Sequence, residues 1–248
     1  MREQQAQHYF GLDIGSSTVR CVVGTLDSEE SNIVSVIGHG SAPNKGMRKG
    51  VVVRVDDVVE AVVQAVTEAE RVSGVQISQA TVNVNGHHDL GMDSKGVIAI
   101  SAGNREISDD DRIRVEEAAT IVKLPPNREI IHVFAKNYRL DGQGSIKDPV
   151  GMQGVRLEVD THIVTASTPT LRNLDLALEK AHLSANHHTV SSLAASEAVL
   201  TGQQKESGTV LLDIGAGTTN LVVIEEGEVQ HVAVLPIGGI HITNDLAI

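Results

Sequence analysis

Aromatic residues are nearly absent from this sequence of 248 residues, which has two Tyr, two Phe and no Trp. The core must therefore consist of Val, Ile, Leu and Ala. Proteins that bind single-stranded nucleic acid stack bases on aromatic side chains, and phosphate backbones attract basic surfaces. Because the formal net charge is −12 as well, the composition predicts a chain that does not bind nucleic acid.

Cysteine is represented by Cys21 alone, so no internal disulfide can form. This usage fits a reducing compartment. The first residues lack the apolar segment of a secretory signal, and no apolar run approaches the roughly 20 residues that span a bilayer. We therefore predict an intracellular chain without a membrane span. Residues 243–248 resemble the first turn of a helix capped by Thr243 or Asn244, so we expect the natural protein to continue.

Strand and helix signals alternate in an order that predicts an α/β protein. Apolar or alternating segments at 9–14, 18–26 and 33–40 predict an antiparallel meander. A helix capped by Asp56 and ending at Gly74 follows, and then a strand at 80–84.

The middle of the chain, about 86–160, is richer in turns and polar residues, which predicts an inserted α+β subdomain. Ser108 is expected to cap its helix, with Ile113, Ala118, Ile121 and Val122 on the buried side. Strands at 129–134 and 155–159 flank a turn-rich stretch. After it we predict a strand at 162–166, helices after Thr168 and at 193–200, and a meander at 209–214, 218–225 and 228–235.

One segment of the sequence occurs twice. Leu-Asp-Ile-Gly-Ser-Ser-Thr at 12–18 returns as Leu-Asp-Ile-Gly-Ala-Gly-Thr at 212–218. At the same offset of 200 residues, Val22-Val23 falls on Val222-Val223. Each copy predicts a strand, a tight glycine turn and a second strand, and the matching flanks favour a true repeat over two unrelated hairpin turns.

A glycine-rich hairpin tip presents consecutive backbone N–H groups, which form a concavity that binds anions. Gly15, Gly215 and Gly217 are expected to adopt positive φ angles there. The sequence therefore predicts that both tips bind phosphate. The predicted phosphate-binding residues are Gly15, Ser16, Ser17, Thr18, Gly215, Ala216, Gly217, Thr218 and Thr219.

An aspartate stands at the end of the first strand of each copy, Asp13 and Asp213. Phosphate would repel each carboxylate, by roughly 4 kcal/mol for unit charges about 4 Å apart at an effective dielectric of about 20. A divalent cation removes that conflict, and Mg²⁺ binds through carboxylates, water and substrate phosphates. We therefore predict that Asp13 and Asp213 face each other across a cleft and hold hydrated Mg²⁺ against a polyphosphate.

Other nucleotide and metal motifs do not fit. Residues 215–220 have Asn where a Rossmann fingerprint needs its third Gly, and no Gly-Lys-Ser or Gly-Lys-Thr of a Walker A loop occurs. In each of the pairs His87-His88 and His187-His188, the two side chains would point to opposite faces of a strand. No further ligands accompany them, so metal binding by these histidines is not expected.

The two hairpins resemble the phosphate motifs of the actin, sugar kinase and heat-shock chaperone superfamily. Residues 12–18 are similar to its first motif and 212–219 to its second, 191–200 resemble its first connecting helix, and 235–247 resemble its Gly-Gly turn and following helix. The resemblance implies an actin-like (ribonuclease H-like) mixed sheet with helices on both faces, plus an inserted α+β subdomain. It also implies ATP and Mg²⁺ as cofactors, with Gly238 and Gly239 at the nucleotide.

Within that superfamily, three segments resemble the FtsA family of bacterial cell-division proteins. They are Lys-Gly-Met-Arg-Lys-Gly at 45–50, Val-Asn-Val-Asn-Gly-His at 82–87 and Ile-Lys-Asp-Pro-Val-Gly-Met-Gln-Gly-Val-Arg at 146–156. The resemblance implies a first actin-like subdomain at 1–84 and 162–203, the family's insert at 85–161, and the start of the second half at 204–248. It implies a protein that polymerises and tethers FtsZ to the inner face of the cytoplasmic membrane at the division site.

The partners implied are FtsZ, other protomers, later division proteins through the insert, and the inner membrane through a C-terminal helix beyond Ile248. Two positions depart from the pattern that the resemblance implies. Ser191-Ser192 occupy a place where relatives often have Glu-Pro, and Ile240 occupies one where they often have Asp. ATP hydrolysis is therefore expected to be slow at most, and no catalytic residue is assigned. Two alternatives stay open: a pilus-assembly scaffold similar to PilM, and a small-molecule kinase of the same superfamily. The Lys147-Asp-Pro-Val-Gly segment favours the FtsA family.

Overall fold

A computed structural model describes residues 7–26, 33–86, 90–100, 103 and 105–247. The segment Asp-Ser-Glu-Glu at 27–30 and the pair His87-His88 lie outside these residues. The helices and strands, in chain order, are β1 (His8–Ile14), β2 (Thr18–Leu26), β3 (Val34–Pro43), β4 (Met47–Arg48), β5 (Val51–Val52), α1 (Val55–Ser73), β6 (Gln79–Val84), β7 (Leu90–Ala99), α2 (Asp109–Thr120), β8 (Arg128–Leu140), β9 (Gln143–Ile146), β10 (Arg156–Ser167), α3 (Thr168–Lys180), β11 (Ser184–Val190), α4 (Ser191–Val199), α5 (Gly202–Ser207), β12 (Thr209–Ile214), β13 (Thr219–Glu225), β14 (Glu228–Leu235) and α6 (Gly239–Leu246).

The first sheet has five strands in the order β11-β6-β1-β2-β3. The predicted meander is confirmed, since β2 runs antiparallel to both β1 and β3, and β6 and β11 extend the sheet by parallel pairing. The buried side chains of β1, β2 and β6 form one apolar core with α1 and α3. This core fixes the first hairpin tip, which lies at the end of β1.

Helix α1 covers β2 and β3 with a stripe of small apolar residues, as the spacing predicts. Val58, Val62 and Ala69 are fully buried, and the helix ends at Gly74, which has φ 73° and donates its N–H to Glu70 O. The predicted cap is wrong. The N-cap residue is Arg54, without a side-chain cap bond, and Asp56 lies inside the first turn.

The second sheet has seven strands in the order β12-β13-β14-β7-β10-β8-β9. The second meander is confirmed as β12, β13 and β14. The strands predicted at 155–159 and 162–166 are one continuous strand, β10, paired antiparallel with β7 and β8. Strand β7 was not predicted, because its centre, Asp-Ser-Lys-Gly at 93–96, has little strand propensity.

Helices lie on both faces of this sheet. Leu157 and Val159 of β10 pack in a core with Val115 of α2, whereas Val164 packs in a different core with Leu193 of α4. Alternate residues of a strand point to opposite faces, so α2 and α4 cover opposite sides. Among the described residues, no helix is both long and apolar enough to cross a bilayer.

Helix α2 begins as predicted but buries a different side. Ser108 accepts from the Asp111 N–H and completes a capping box. The buried residues are Val115 and Ala119 rather than the predicted set, and Ile121 is 87% exposed. The helix has few large apolar residues, so its contact with β7, where Ser94 Oγ donates to Ala119 O at 2.8 Å, decides the orientation.

His162 joins three strands inside this second sheet. Its side chain is 1% exposed, its Nδ1 lies 2.8 Å from Asp93 Oδ1 of β7, and its Nε2 accepts the Val232 N–H of β14 at 3.1 Å. The accepting Nε2 requires a neutral ring whose proton is on Nδ1. A protonated ring would lose the bond to β14.

The chain is therefore expected to lose stability in mild acid. Burial lowers the pKa of His162, Asp93 opposes this shift, and His231 and Lys136 add to it. The unfolded chain takes up the proton near pH 6.5 and the native state does not. The contribution of His162 to the free energy of unfolding is fully present above about pH 6.5. It should decrease as the pH drops below that value, by up to about 1.4 kcal/mol per pH unit.

Urea unfolding at about pH 7.5 and about pH 5.5 measures this loss. His162→Asn should flatten the dependence, whereas His187→Asn, at an exposed position, should not. An unchanged pH dependence in His162→Asn would contradict the assignment.

Candidate nucleotide-binding site

The two hairpin tips of the sequence repeat line one cavity of about 290 Å³. The hairpins fold alike, with Asp13 opposite Arg20 in one and Asp213 opposite Asn220 in the other. A Cβ placed on Gly217 would lie 2.9 Å from Ser16 Oγ, so the tips are in contact. The predicted site residues that line the cavity are Asp13, Gly15, Ser16, Ser17, Thr18, Asp213, Gly215, Ala216, Gly217 and Thr218.

In the first tip, the backbone carbonyls are occupied by Asn44. The Gly15 N–H closes the turn onto Thr18 O at 3.0 Å. Asn44 donates from its side chain to Gly15 O at 2.9 Å and from its backbone to Ser17 O at 2.9 Å. Asn44 is buried and accepts the Gly46 N–H, so it holds the tip rigidly from behind.

In the second tip, the backbone carbonyls are bound by the start of α6. Gly215 N–H closes onto Thr218 O at 2.9 Å. Gly239 N–H and Ile240 N–H donate to Gly215 O and Ala216 O, both at 2.9 Å. Helix α6 thus begins at Gly239 and not at 243–244 as predicted, because its first amides bind the tip.

The amides of the tips are left available. Those of residues 16, 17, 216 and 217 have no acceptor within the described part of the chain. With the carbonyls held on the other side of each loop, the tips present partial positive charge, which is the property of an anion-binding nest. The geometry therefore fits phosphate oxygens.

The predicted positive φ angles of Gly15, Gly215 and Gly217 are wrong. In the cavity wall that angle occurs at Gly50, with φ 74°. These glycines exclude a side chain for steric reasons instead, because a Cβ on Gly15 would lie 2.8 Å from Thr18 O and one on Gly217 would lie 2.9 Å from Ser16 Oγ.

Three predicted site residues lie outside the cavity wall: Thr219, Gly238 and Gly239. Thr219 Oγ1 donates to Ile237 O at 2.8 Å. Gly238 packs directly behind the second tip, and Gly239 donates to it. These residues support the tip and do not line the cavity.

Asp13 is held by two side chains. Arg20 donates to Oδ2 at 3.2 Å, and Asn83 donates to Oδ1 while accepting the Ile14 N–H. Burial raises the pKa of Asp13; Arg20 lowers it, and the charge of Asp213 raises it further. The two carboxylates therefore repel each other across the cavity, a repulsion that a divalent cation would relieve.

Asp213 has a neutral neighbour. Asn220 Nδ2 donates to its Oδ2 at 3.3 Å, and no ion pair to Asp213 exists among the described side chains. Asn220 is 2% exposed, and its Oδ1 is buried without a partner in the cavity wall. An unpaired buried oxygen beside a carboxylate fits a water bound to a cation. The residues present therefore fit Mg²⁺ and phosphate.

Four supporting residues were missed by the sequence prediction: Arg20, Asn44, Asn83 and Asn220. The repeat itself could have indicated two of them, because 20 and 220 are equivalent positions beside the two aspartates. Asn83 had a weaker signal as a polar residue within the buried strand β6. Asn44 had none, since its role depends on the contact between the loop after β3 and the first tip.

The start of α4 also reaches the cavity. Ser191 lines it, donates its N–H to Asn85 Oδ1 at 3.1 Å, and accepts from Asn83 Nδ2 at 3.1 Å on its hydroxyl. The cavity wall therefore has a hydroxyl group at this position.

A larger cavity of about 560 Å³ lies between the middle of the second sheet and the β13–β14 turn. Its lysines are all paired: Lys95 with Asp160, Lys136 with Asp93, and Lys147 with Glu206. It therefore presents no unpaired cation to an anionic ligand.

Comparison with known proteins identifies the family. A model of the SHS2 domain inserted in FtsA matches residues 86–165, and a model of cell division protein FtsA matches 210–248. Cell division protein FtsA of Pseudomonas aeruginosa is 36% identical over 98% of this chain, and that of Bacillus subtilis is 38% identical over 97%. The chain belongs to the FtsA family. It spans 58% and 54% of the lengths of these two relatives.

Solved structures confirm the predicted actin-like fold class. The PilM–PilN type IV pilus biogenesis complex superposes with a TM-score of 0.68 at 18% identity, over 98% of this chain and 66% of that one. Ethanolamine utilization protein EutJ from Carboxydothermus hydrogenoformans gives 0.53 at 16% identity, over 98% and 57%. At such identities the likeness shows the fold alone, whereas the FtsA relatives share sequence over nearly the whole chain.

Proposed function

We propose that this chain is the ATP-binding part of an FtsA-family protein that forms filaments and tethers the FtsZ ring to the inner face of the cytoplasmic membrane. One observation carries the proposal: two hairpin tips, 200 residues apart in sequence, direct unbonded amides and two carboxylates toward one cavity. Membership of the FtsA family supports the role in division.

The chain's own residues perform the binding. The amides of residues 16, 17, 216 and 217 bind phosphate oxygens, and the hydroxyls of Ser16, Ser17 and Thr18 add donors. The carboxylates of Asp13 and Asp213 both line the cavity, which supports the proposal that they hold a hydrated cation. Mg²⁺, when bound, would neutralise charge shared by the carboxylates and the phosphates.

A terminal phosphate can act as a switch at this site. The first tip belongs to the five-stranded sheet and the second to the seven-stranded sheet, so a phosphate held by both fixes the angle between them. Loss of that phosphate removes one set of contacts, as in other nucleotide switches. We propose that this angle sets the state that polymerises.

Calorimetric titration of the chain with ATP tests the proposal. No residue in the described cavity wall is aromatic, so most of the affinity should come from the phosphates. Mg²⁺ with tripolyphosphate should therefore compete with ATP, and EDTA should abolish binding. ATP binding that survives both treatments would contradict the site.

Peptide-binding and phosphoryl-transfer assays distinguish this proposal from the two open alternatives. The natural protein should bind a peptide from the C-terminus of FtsZ and not a short pilus-protein peptide; the reverse would favour the PilM-like scaffold. Phosphoryl transfer from ATP to sugars or small alcohols would favour the kinase.

A further inference from the structure

The two copies of the hairpin differ at one matched position beside the aspartate. Cross-strand pairing places Arg20 opposite Asp13, and Asn220 opposite Asp213. One carboxylate therefore has a permanent cation as its neighbour, whereas the other has a neutral amide. The site is not chemically symmetric, although its backbone is.

Both oxygens of Asp13 are already bound. Oδ2 pairs with Arg20 at 3.2 Å, and Oδ1 accepts from Asn83. A hydrated cation could use Asp13 only by displacing the guanidinium or repelling it. Arg20 is 60% exposed in the cavity wall, so its side chain has room to contact a bound phosphate.

Asp213 has no such competitor. Oδ2 accepts only the 3.3 Å bond from Asn220, and Oδ1 has no partner within the described ranges. The buried Asn220 Oδ1 also lacks a donor. A water molecule bound to a cation on Asp213 would supply that donor, and hydrogen bonds of this kind orient metal sites.

We propose that Asp213 alone holds the hydrated Mg²⁺, with Asn220 as the residue that positions its water, and that Arg20 neutralises Asp13 and binds phosphate. This inference rests on the Mg–ATP site proposed above and replaces the equal roles of the two carboxylates. Mg²⁺ sites of this kind commonly use one or two carboxylates together with substrate phosphates.

Conservative variants of the full chain test the assignment. Mg²⁺ is titrated at fixed ATP, and binding is read by calorimetry and by the rise in the thermal unfolding midpoint. Asp213→Asn should raise the Mg²⁺ requirement more than about tenfold, and Asp13→Asn less than about threefold. Asp56→Asn, an exposed ion-pair residue on α1, is the matched control and should change nothing.

A double variant tests the masking of Asp13 by Arg20. At saturating ATP, which offsets the lost phosphate contact of Arg20, Arg20→Met in the Asp213→Asn background should recover part of the lost Mg²⁺ binding, because Asp13 is then uncompensated. No recovery would overturn the masking.

Asn220→Leu tests the positioning role with a side chain of similar shape. It should raise the Mg²⁺ requirement about tenfold. Without ligand it should not lower the free energy of unfolding, because the loss of the long 3.3 Å bond to Asp213 is offset by removal of an unpaired buried oxygen. A purely structural Asn220 would give the opposite pair of results.

The outcomes separate this inference from the function on which it rests. Equal losses in Asp13→Asn and Asp213→Asn overturn the unequal roles and leave the ATP site standing. ATP binding by the unaltered chain that does not depend on Mg²⁺ overturns both.

Discussion

Replacing Gly238 by alanine is expected to weaken Mg²⁺-dependent ATP binding by about two orders of magnitude. A Cβ at this position would lie 2.5 Å from Gly215 O and 2.7 Å from Ala216 C. These are backbone atoms, so the second tip itself must move to make room. A displacement of about 1 Å in a binding group can reduce its effect about 100-fold.

The neighbouring residue provides the control. Gly239→Ala adds the same methyl group one position later, where the nearest atom is Gly215 O at 3.8 Å, so its affinity for ATP should match that of the unaltered chain. Calorimetric titration of both variants, with circular dichroism to confirm folding, decides the matter. Equal affinities for the two variants would show that the second tip does not bind the nucleotide.

Gly40→Ala is expected to lower the free energy of unfolding by about 3 kcal/mol, at the upper end of the range for overpacked cores. Gly40 lies in β3 under α1, and a Cβ there would be 2.0 Å from Ala65 O and 2.7 Å from Ala69 N. The helix must lift from the sheet to admit it. Because the same core holds β1 and β2, the first tip should become less ordered as well.

Gly11→Ala is the matched variant for this second experiment. Gly11 lies in β1 of the same sheet and has nothing within 4 Å of its would-be Cβ. Urea unfolding should therefore place Gly11→Ala close to the unaltered chain and Gly40→Ala well below it. Similar midpoints for both would mean that α1 is not closely packed on β3.

In each hairpin, the front and the back of the tip have different roles. The front of the tip presents amides, and the back is held by Asn44 in one copy and by α6 in the other. Sequence repetition covers the tips and their flanking strands, whereas the supports behind the tips differ. The tips can therefore be alike as anion sites while the two halves around them differ.

The elements recognised from the sequence are those governed by neighbours along the chain. Alternation predicts the two meanders because a strand exposes every second residue to the same core. Ser108 predicts its capping box because the bond closes within three residues. The repeat at 12–18 and 212–218 predicts two equal turns for the same reason. Each of these features needs only a few adjacent residues.

The errors have a common physical origin. Helix α2 has few large apolar residues, so β7 decides which side is buried. Strand β10 looks like two strands in sequence, and only its pairing with β7 and β8 makes it one. The tip glycines exclude side chains because of atoms packed against them, across the turn for Gly15 and Gly215 and on the facing tip for Gly217, and not because of their own φ angles.

By itself, the amino-acid sequence determined the two meanders, the helix capped by Ser108, the twin Asp-Ile-Gly turns and the expectation of a phosphate site. Tertiary structure alone decided that Arg20 binds one aspartate and Asn220 the other, and that Asn83 reaches both Asp13 and Ser191. Those contacts depend on packing: Asn83 lies 70 and 108 residues from its two partners. Local pattern carries no information on which distant segments the core will bring together.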